Sequence, residues 1–210
     1  MVRNRKLGLS SLKIVLFLMW LLWSGVAVAG QEAEQQQSKA TDNTQFASQT
    51  EEHVPNRYGM ALSYGSAFNS SEPLYFGMGT VFATFDYENI WHHPAPDGLR
   101  FKVEASAGGA DKGFLASLSM FAQYFPPFFQ SDSVMPYAEL GIGGIYTDFQ
   151  LHNQGLKVNF CPQVSIGSDF ETQSGHRFFG AIRLQHISNA NLHPQNRGIN
   201  STVFLIGMYF

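Results

Sequence analysis

The sequence predicts an all-β protein, an eight-stranded antiparallel transmembrane β-barrel of the outer membrane. Three observations carry this. Charged residues make up only 14% of the chain, and aromatics also reach 14%, with 19 phenylalanines; soluble globular chains carry about 25% charge. Mean hydropathy is nevertheless only −0.11. A barrel reconciles the two, because its lipid-facing and lumen-facing residues alternate and average out. Finally, from Arg57 onward the chain divides into apolar-rich segments bounded by Gly, Pro, Asn, Asp and Ser.

The N-terminus precedes that pattern. Arg3, Arg5 and Lys6 form a basic cluster, followed by Lys13, an apolar run from Ile14 to Trp23, and the small residues Ala27-Val28-Ala29. This order of basic, apolar and small residues predicts a secretory signal over 1–29, cleaved after Ala29, with an uncleaved anchor as the alternative. No other stretch approaches the roughly 18 consecutive apolar residues of a spanning helix. Residues 30–56 are polar, with Gln35-Gln36-Gln37 and scattered Ser and Thr. Such a segment buries too little apolar surface to offset its ordering entropy, so a flexible periplasmic leader is expected. The barrel is assigned to 57–210.

The expected strands are 57–66, 74–88, 98–108, 113–126, 134–149, 156–170, 176–188 and 200–210. Each is long enough for a tilted strand, which needs roughly 9–11 residues to cross the bilayer core. In the fourth, Phe114, Leu118, Met120, Ala122 and Tyr124 share one face. Ser117, Ser119 and Gln123 share the other with Leu115, Phe121 and Phe125, so the interior is not purely polar. In the seventh, Phe178, Ile182 and Leu184 oppose Phe179, Arg183 and Gln185. Arg183 should face the lumen, neutralised by a carboxylate such as Glu104 or Glu139. In the last, Phe204, Ile206, Met208 and Phe210 lie on one face, and the chain ends on phenylalanine. That ending resembles the signal by which the barrel-assembly machinery recognises outer-membrane barrels. The competing reading is an edge strand of a soluble periplasmic sandwich, which such an apolar edge would leave prone to aggregation. An even strand count suits a small barrel filled by its own side chains. With both termini in the periplasm, the segment 189–199 is an extracellular loop.

Composition also narrows function. A formal net charge of −3 gives no reason to expect a nucleic-acid partner. The single cysteine, Cys161, excludes an internal disulfide and any multi-cysteine metal site, and reads as a small packed or lipid-facing residue. Adjacent His92 and His93 point opposite ways in an extended chain and read as an exposed turn rather than a metal pair. Asp86, Glu88 and Asp97 read as solvated, as do His152 and His193 in their loops, with contact to lipid phosphates as the alternative for His193. Lys112, Lys157 and Arg197 lie near the outer side, within reach of lipid phosphates.

The informative run is Arg183-Leu184-Gln185-His186-Ile187-Ser188-Asn189-Ala190-Asn191-Leu192, followed by Asn196-Arg197-Gly198-Ile199-Asn200-Ser201. His186 and Ser188 are two apart in a strand and so share a face. That face also carries Ile182 and Leu184, assigned to lipid. An imidazole and a hydroxyl on a lipid-facing wall cost free energy unless they are paired or used. The histidine can take the serine proton and make it a nucleophile toward an ester carbonyl. Asn189 and Asn196 offer amide donors for a tetrahedral oxyanion. Spacing alone leaves a merely interfacial histidine as the commoner explanation for a His-x-Ser pair.

His-x-Ser-Asn-Ala, then a loop with Asn-x-Gly-Ile-Asn, then a closing aromatic strand resembles the lipid A 3-O-deacylases of Gram-negative bacteria, the PagL family. The resemblance spans roughly 57–210 and is specific over about 183–210. It implies a Ser-His-Glu triad on the outside of the barrel that cleaves the ester-linked acyl chain at the 3-position of lipid A. It further implies Ser188 as nucleophile, His186 as general base, and Asn196, with Asn189, at the oxyanion. By spacing, the family glutamate falls at Asn200. An asparagine accepts the imidazole N–H but lacks the charge that stabilises an imidazolium, so a slower enzyme, an acid from elsewhere or an inactive site all follow. No metal or organic cofactor is called for. The expected partner is lipopolysaccharide in the outer leaflet, and a homodimer is left open. The alternative from another class is a non-catalytic small barrel: structural protein, adhesin or narrow channel.

Overall fold

The computed structural model describes residues 56–70, 73–129, 131, 133–150 and 153–210. The expected signal and all of the expected leader except Asn56 lie outside the described residues, as does His152. Eight strands run in order: β1 Arg57–Ala67, β2 Tyr75–Asp86, β3 Leu99–Ala110, β4 Gly113–Tyr124, β5 Val134–Thr147, β6 Val158–Glu171, β7 Arg177–Ile187 and β8 Ile199–Tyr209. Each pairs antiparallel with its neighbour, and β1 pairs with β8 from Gly59↔Tyr209 to Ala67↔Ser201, closing the barrel. The sequence segments locate every strand end to within two residues. Closure leaves no open edge among these strands, which is what a sheet in hydrocarbon requires.

One segment differs from expectation. Tyr87–Trp91, read in part as the tail of β2, is a short helix, α1. Asp86 is the reason: its Oδ1 accepts the Glu88 N–H at 3.0 Å and caps the turn. Glu88 in turn accepts the Ala95 N–H at 2.7 Å. His92 ends the helix in the left-handed region at φ 53°, its N–H returning to the Glu88 carbonyl at 2.8 Å. His92 and His93 are exposed in the turn that follows. No helix among the described residues is long and apolar enough to cross a membrane.

Strand alternation sorts the side chains as a barrel requires. Leu62, Leu118, Ile166 and Ile206 are 66–69% exposed on the outer wall. The interior is filled rather than open. Lys102, Glu104, Glu139 and Arg183 form a buried network of two cations and two anions. Lys102 Nζ lies 2.8 Å from Glu104 Oε1 and 2.7 Å from Glu139 Oε1. Arg183 reaches Glu104 at 2.7 Å and Glu139 at 3.1 Å, so it meets both expected carboxylates. Gln123 and Ser165 supply further bonds to this network at 3.0 Å each. Aromatic rings enclose it: Lys102 Nζ is 5.0 Å from the Phe82 ring centre and Arg183 Cζ 4.5 Å from that of Phe121. Cys161 is buried on the same inner side.

A candidate active site on the outer wall

The site grows out of the far end of β7. Arg183, Gln185 and Ile187 turn inward and are buried, while Ile182 and Leu184 face out. His186 and Ser188 continue the outward series and are half-buried. Beside them the β6–β7 ladder stops at Gln163↔Gln185 and returns as a single bridge, Phe160↔Ser188. Pro162 stands in that gap, and its missing N–H accounts for the break. Ser188 is held by its backbone, accepting from Phe160 N at 2.8 Å and donating to Phe160 O at 3.0 Å.

On the other side, His186 pairs in register with Asn200 of β8. The imidazole Nδ1 lies 2.6 Å from Asn200 Oδ1. An amide oxygen only accepts, so Nδ1 is the donor in this contact, and in a neutral imidazole that tautomer puts the lone pair on Nε2. Asn200 is anchored by the loop between β1 and β2: its N–H donates to Asn69 Oδ1 at 2.6 Å, and its carbonyl accepts from Phe68 N at 3.0 Å.

The loop from Ser188 to Gly198 forms the rim. Asn189, one residue beyond Ser188, projects to the inner side and is only 1% exposed. Its Nδ2 donates to Gln195 O at 2.8 Å, and its backbone N–H donates to Asn196 Oδ1 at 3.0 Å. Strand parity is the physical reason: neighbours of an outward serine face inward. Ala190 and Asn191 both adopt left-handed backbone, at φ 52° and 65°. Leu192 N closes that turn onto Asn189 O at 3.0 Å, leaving the Leu192 side chain 73% exposed. Asn196 is half-buried, and its Nδ2 donates to Asn191 Oδ1 at 3.1 Å. Gly198 has φ +72°, and a Cβ there would stand 2.7 Å from His186 Cε1. Glycine is therefore required both by the backbone and by the imidazole it touches.

Of the five residues expected from sequence, His186 and Asn200 are in direct contact and Ser188 shares their face. Asn189 and Asn196 are joined to each other. Sequence reasoning missed Pro162, Asn69, Gln154 and the contact role of Gly198. A proline inside a strand was a usable signal for the first; the others act through contacts distant in sequence. His193, expected in solvent, is instead half-buried against Gly155 and accepts the Gln195 N–H at 3.1 Å. Lys157 donates to Asp148 O at 2.5 Å and Arg197 Nη2 to Asn69 O at 2.9 Å, both at the same end of the barrel. Among the described residues no group of three or more His, Cys, Asp or Glu is placed to hold a metal ion. The arrangement is an imidazole anchored through Nδ1 and a hydroxyl on the same face of an apolar wall, which suits acyl transfer at a lipid surface.

The crystal structure of the outer membrane enzyme PagL is 22% identical, with a TM-score of 0.48, covering 71% of this chain and 97% of that one. Neisserial surface protein A (NspA) superposes with a TM-score of 0.50 at 15% identity, over 73% of this chain and 95% of its own, and shares the barrel fold. The N-terminal β-barrel domain of Pseudomonas aeruginosa OprF gives a TM-score of 0.39 at 13% identity, over 74% of this chain and all of that one. No curated protein sequence matches the chain. The family described as lipid A 3-O-deacylase (PagL) matches residues 74–209, well over half of the chain. The protein is an outer-membrane β-barrel that belongs to the lipid A 3-O-deacylase family.

Proposed function

We propose that the protein is a serine esterase that removes the 3-O-linked hydroxyacyl chain from lipid A in its own leaflet. Membership of the deacylase family supports the substrate class. The observation that carries the mechanism is the 2.6 Å contact of His186 Nδ1 with Asn200 Oδ1 on the outer wall, with Ser188 on the same face. With Nδ1 engaged, Nε2 takes the Ser188 proton as Oγ attacks the ester carbonyl. The tetrahedral oxyanion is met by the Asn196 amide, and Asn189 supports that amide through its backbone N–H. Collapse returns the proton to the departing sugar 3-hydroxyl and leaves an acyl-serine. Water, deprotonated by the same Nε2, then releases the hydroxy fatty acid and regenerates Ser188.

The substrate arrives laterally, with both termini of the barrel in the periplasm and the loop end in the outer leaflet. Its acyl chain lies along the apolar wall formed by residues such as Leu184 and Val164, which are 49% and 46% exposed. No soluble-substrate pocket is needed. Mass spectrometry of lipid A from cells expressing wild type or Ser188→Ala tests the reading. The wild-type lipid should lack one hydroxyacyl group and the variant's should retain it. Equal loss with both proteins, or none with either, rejects the proposal.

A further inference from the structure

We infer that Gln154, in the loop between β5 and β6, is a positioning residue for the hydrolytic site, orienting the Asn196 amide and holding Gly198 against the His186 imidazole. The inference rests on the serine-esterase reading. Gln154 is 0% exposed, although it lies in a surface loop. It forms an antiparallel bridge with Asn196. The backbones join on either side of it, Gly155 N to Gln195 O at 2.8 Å and Arg197 N to Asn153 O at 3.0 Å.

Its side chain is spent on the same segment. Nε2 donates to Asn159 Oδ1 at 2.6 Å and to Asn196 Oδ1 at 3.4 Å. Oε1 accepts the Gly198 N–H at 3.4 Å. Asn159 is turned for this by donating its own Nδ2 to Leu156 O at 2.9 Å. The consequence falls on Asn196. Its Oδ1 accepts from both Gln154 and the Asn189 N–H, so a flipped amide would set its NH₂ against two donors. Nδ2 is thereby directed toward Asn191 at the exposed rim, where an oxyanion would compete for it. An apolar residue of similar volume would fill the space but leave that orientation to the Asn189 N–H alone. Gly198, gripped from behind, keeps its contact with the imidazole.

The test uses full-length protein in outer membranes, with kcat and KM for hydroxyacyl release and labelling of Ser188 by a fluorophosphonate probe. Gln154→Glu keeps the volume and the acceptor for Gly198 but removes the donor to Asn196; Gln154→Leu removes both. Losing one oxyanion donor outright costs about 10²–10³ in kcat, so misdirecting it should cost at least about tenfold in either variant. KM should change little, and heat-shifted gel migration should show a folded barrel. In an Asn196→Ala background the Gln154→Glu change should cost far less, because its effect runs through the missing amide. Wild-type kcat in folded Gln154→Glu, or equal losses in the two backgrounds, overturns the inference. So does loss of the folded barrel in both variants, which would make Gln154 a folding residue. An active Ser188→Ala protein would instead reject the esterase reading itself, whatever Gln154 does.

Discussion

At the scale of single residues, the site turns on what Asn200 does for His186. Its Oδ1 fixes the imidazole through Nδ1 without adding charge. Removing the acceptor with Asn200→Leu should lower kcat at least about tenfold, equivalent to ~1.4 kcal/mol of transition-state stabilisation, with KM nearly unchanged. Asn200→Glu should raise kcat above wild type, because a carboxylate also stabilises the imidazolium that the proposed attack by Ser188 would form. Initial rates of hydroxyacyl release for the three proteins decide it, and a kcat indifferent to both changes would remove Asn200 from the mechanism. Gly198 gives the second prediction. Its φ of +72° makes any side chain costly by about 1–2 kcal/mol. A methyl at 2.7 Å from Cε1 also forces the ring to move. Gly198→Ala should therefore lose most activity while the barrel still folds, as read by hydroxyacyl release beside heat-shifted migration. That His186 and Ser188 share a face was legible in the sequence, because a period of two puts them there. Asn69 and Gln154 were not, because their partners lie 131 and 42 residues away, and the Gly198 contact was not, because it falls on the His186 ring of the neighbouring strand.

At the scale of elements, the strands were legible because membrane and lumen impose opposite demands on successive residues. β7 is the clear case, with Ile182 and Leu184 outward and Arg183 and Gln185 inward. That alternation predicts a depth-dependent response to charge. Ile182→Arg, near the middle of β7, should cost about 2–4 kcal/mol of folding stability in bilayers, whereas Phe178→Arg, one residue from its end, should cost about 0–1 kcal/mol. Reversible urea unfolding in lipid vesicles measures both, and equal costs would mean that these positions do not differ in membrane depth. Helix α1 escaped the sequence reading because the alternation of β2 continues into Tyr87 and Glu88. Only the bond from Glu88 N to Asp86 diverts the backbone. The break beside His186 had a usable signal in Pro162, which keeps the outward parity of β6 while removing one ladder bond.

At the scale of the whole molecule, the question is whether the barrel is a wall or a pore. Arg183 facing a lumenal carboxylate was foreseeable from parity, but the joint network with Lys102, Glu104 and Glu139 was not, since it assembles from three strands, β3, β5 and β7. Two cations and two anions balance, so the network is electrically closed. Removing one member should be severe: Glu104→Leu leaves an unpaired buried cation, at a cost of about 3–5 kcal/mol. The same network, with the rings of Phe82, Phe121 and Phe179 around Lys102 at 5.0–5.7 Å, occupies the cross-section through which ions would pass. A non-catalytic channel would need that plug to open. Purified protein in a planar lipid bilayer should therefore give no discrete conductance steps beyond those of the bare membrane, at either polarity. Reproducible steps with wild type would show that the lumen conducts and would favour the channel alternative. Silence from wild type with steps from Glu104→Leu would instead identify the ion network as the seal, leaving the outer wall as the surface on which this barrel works.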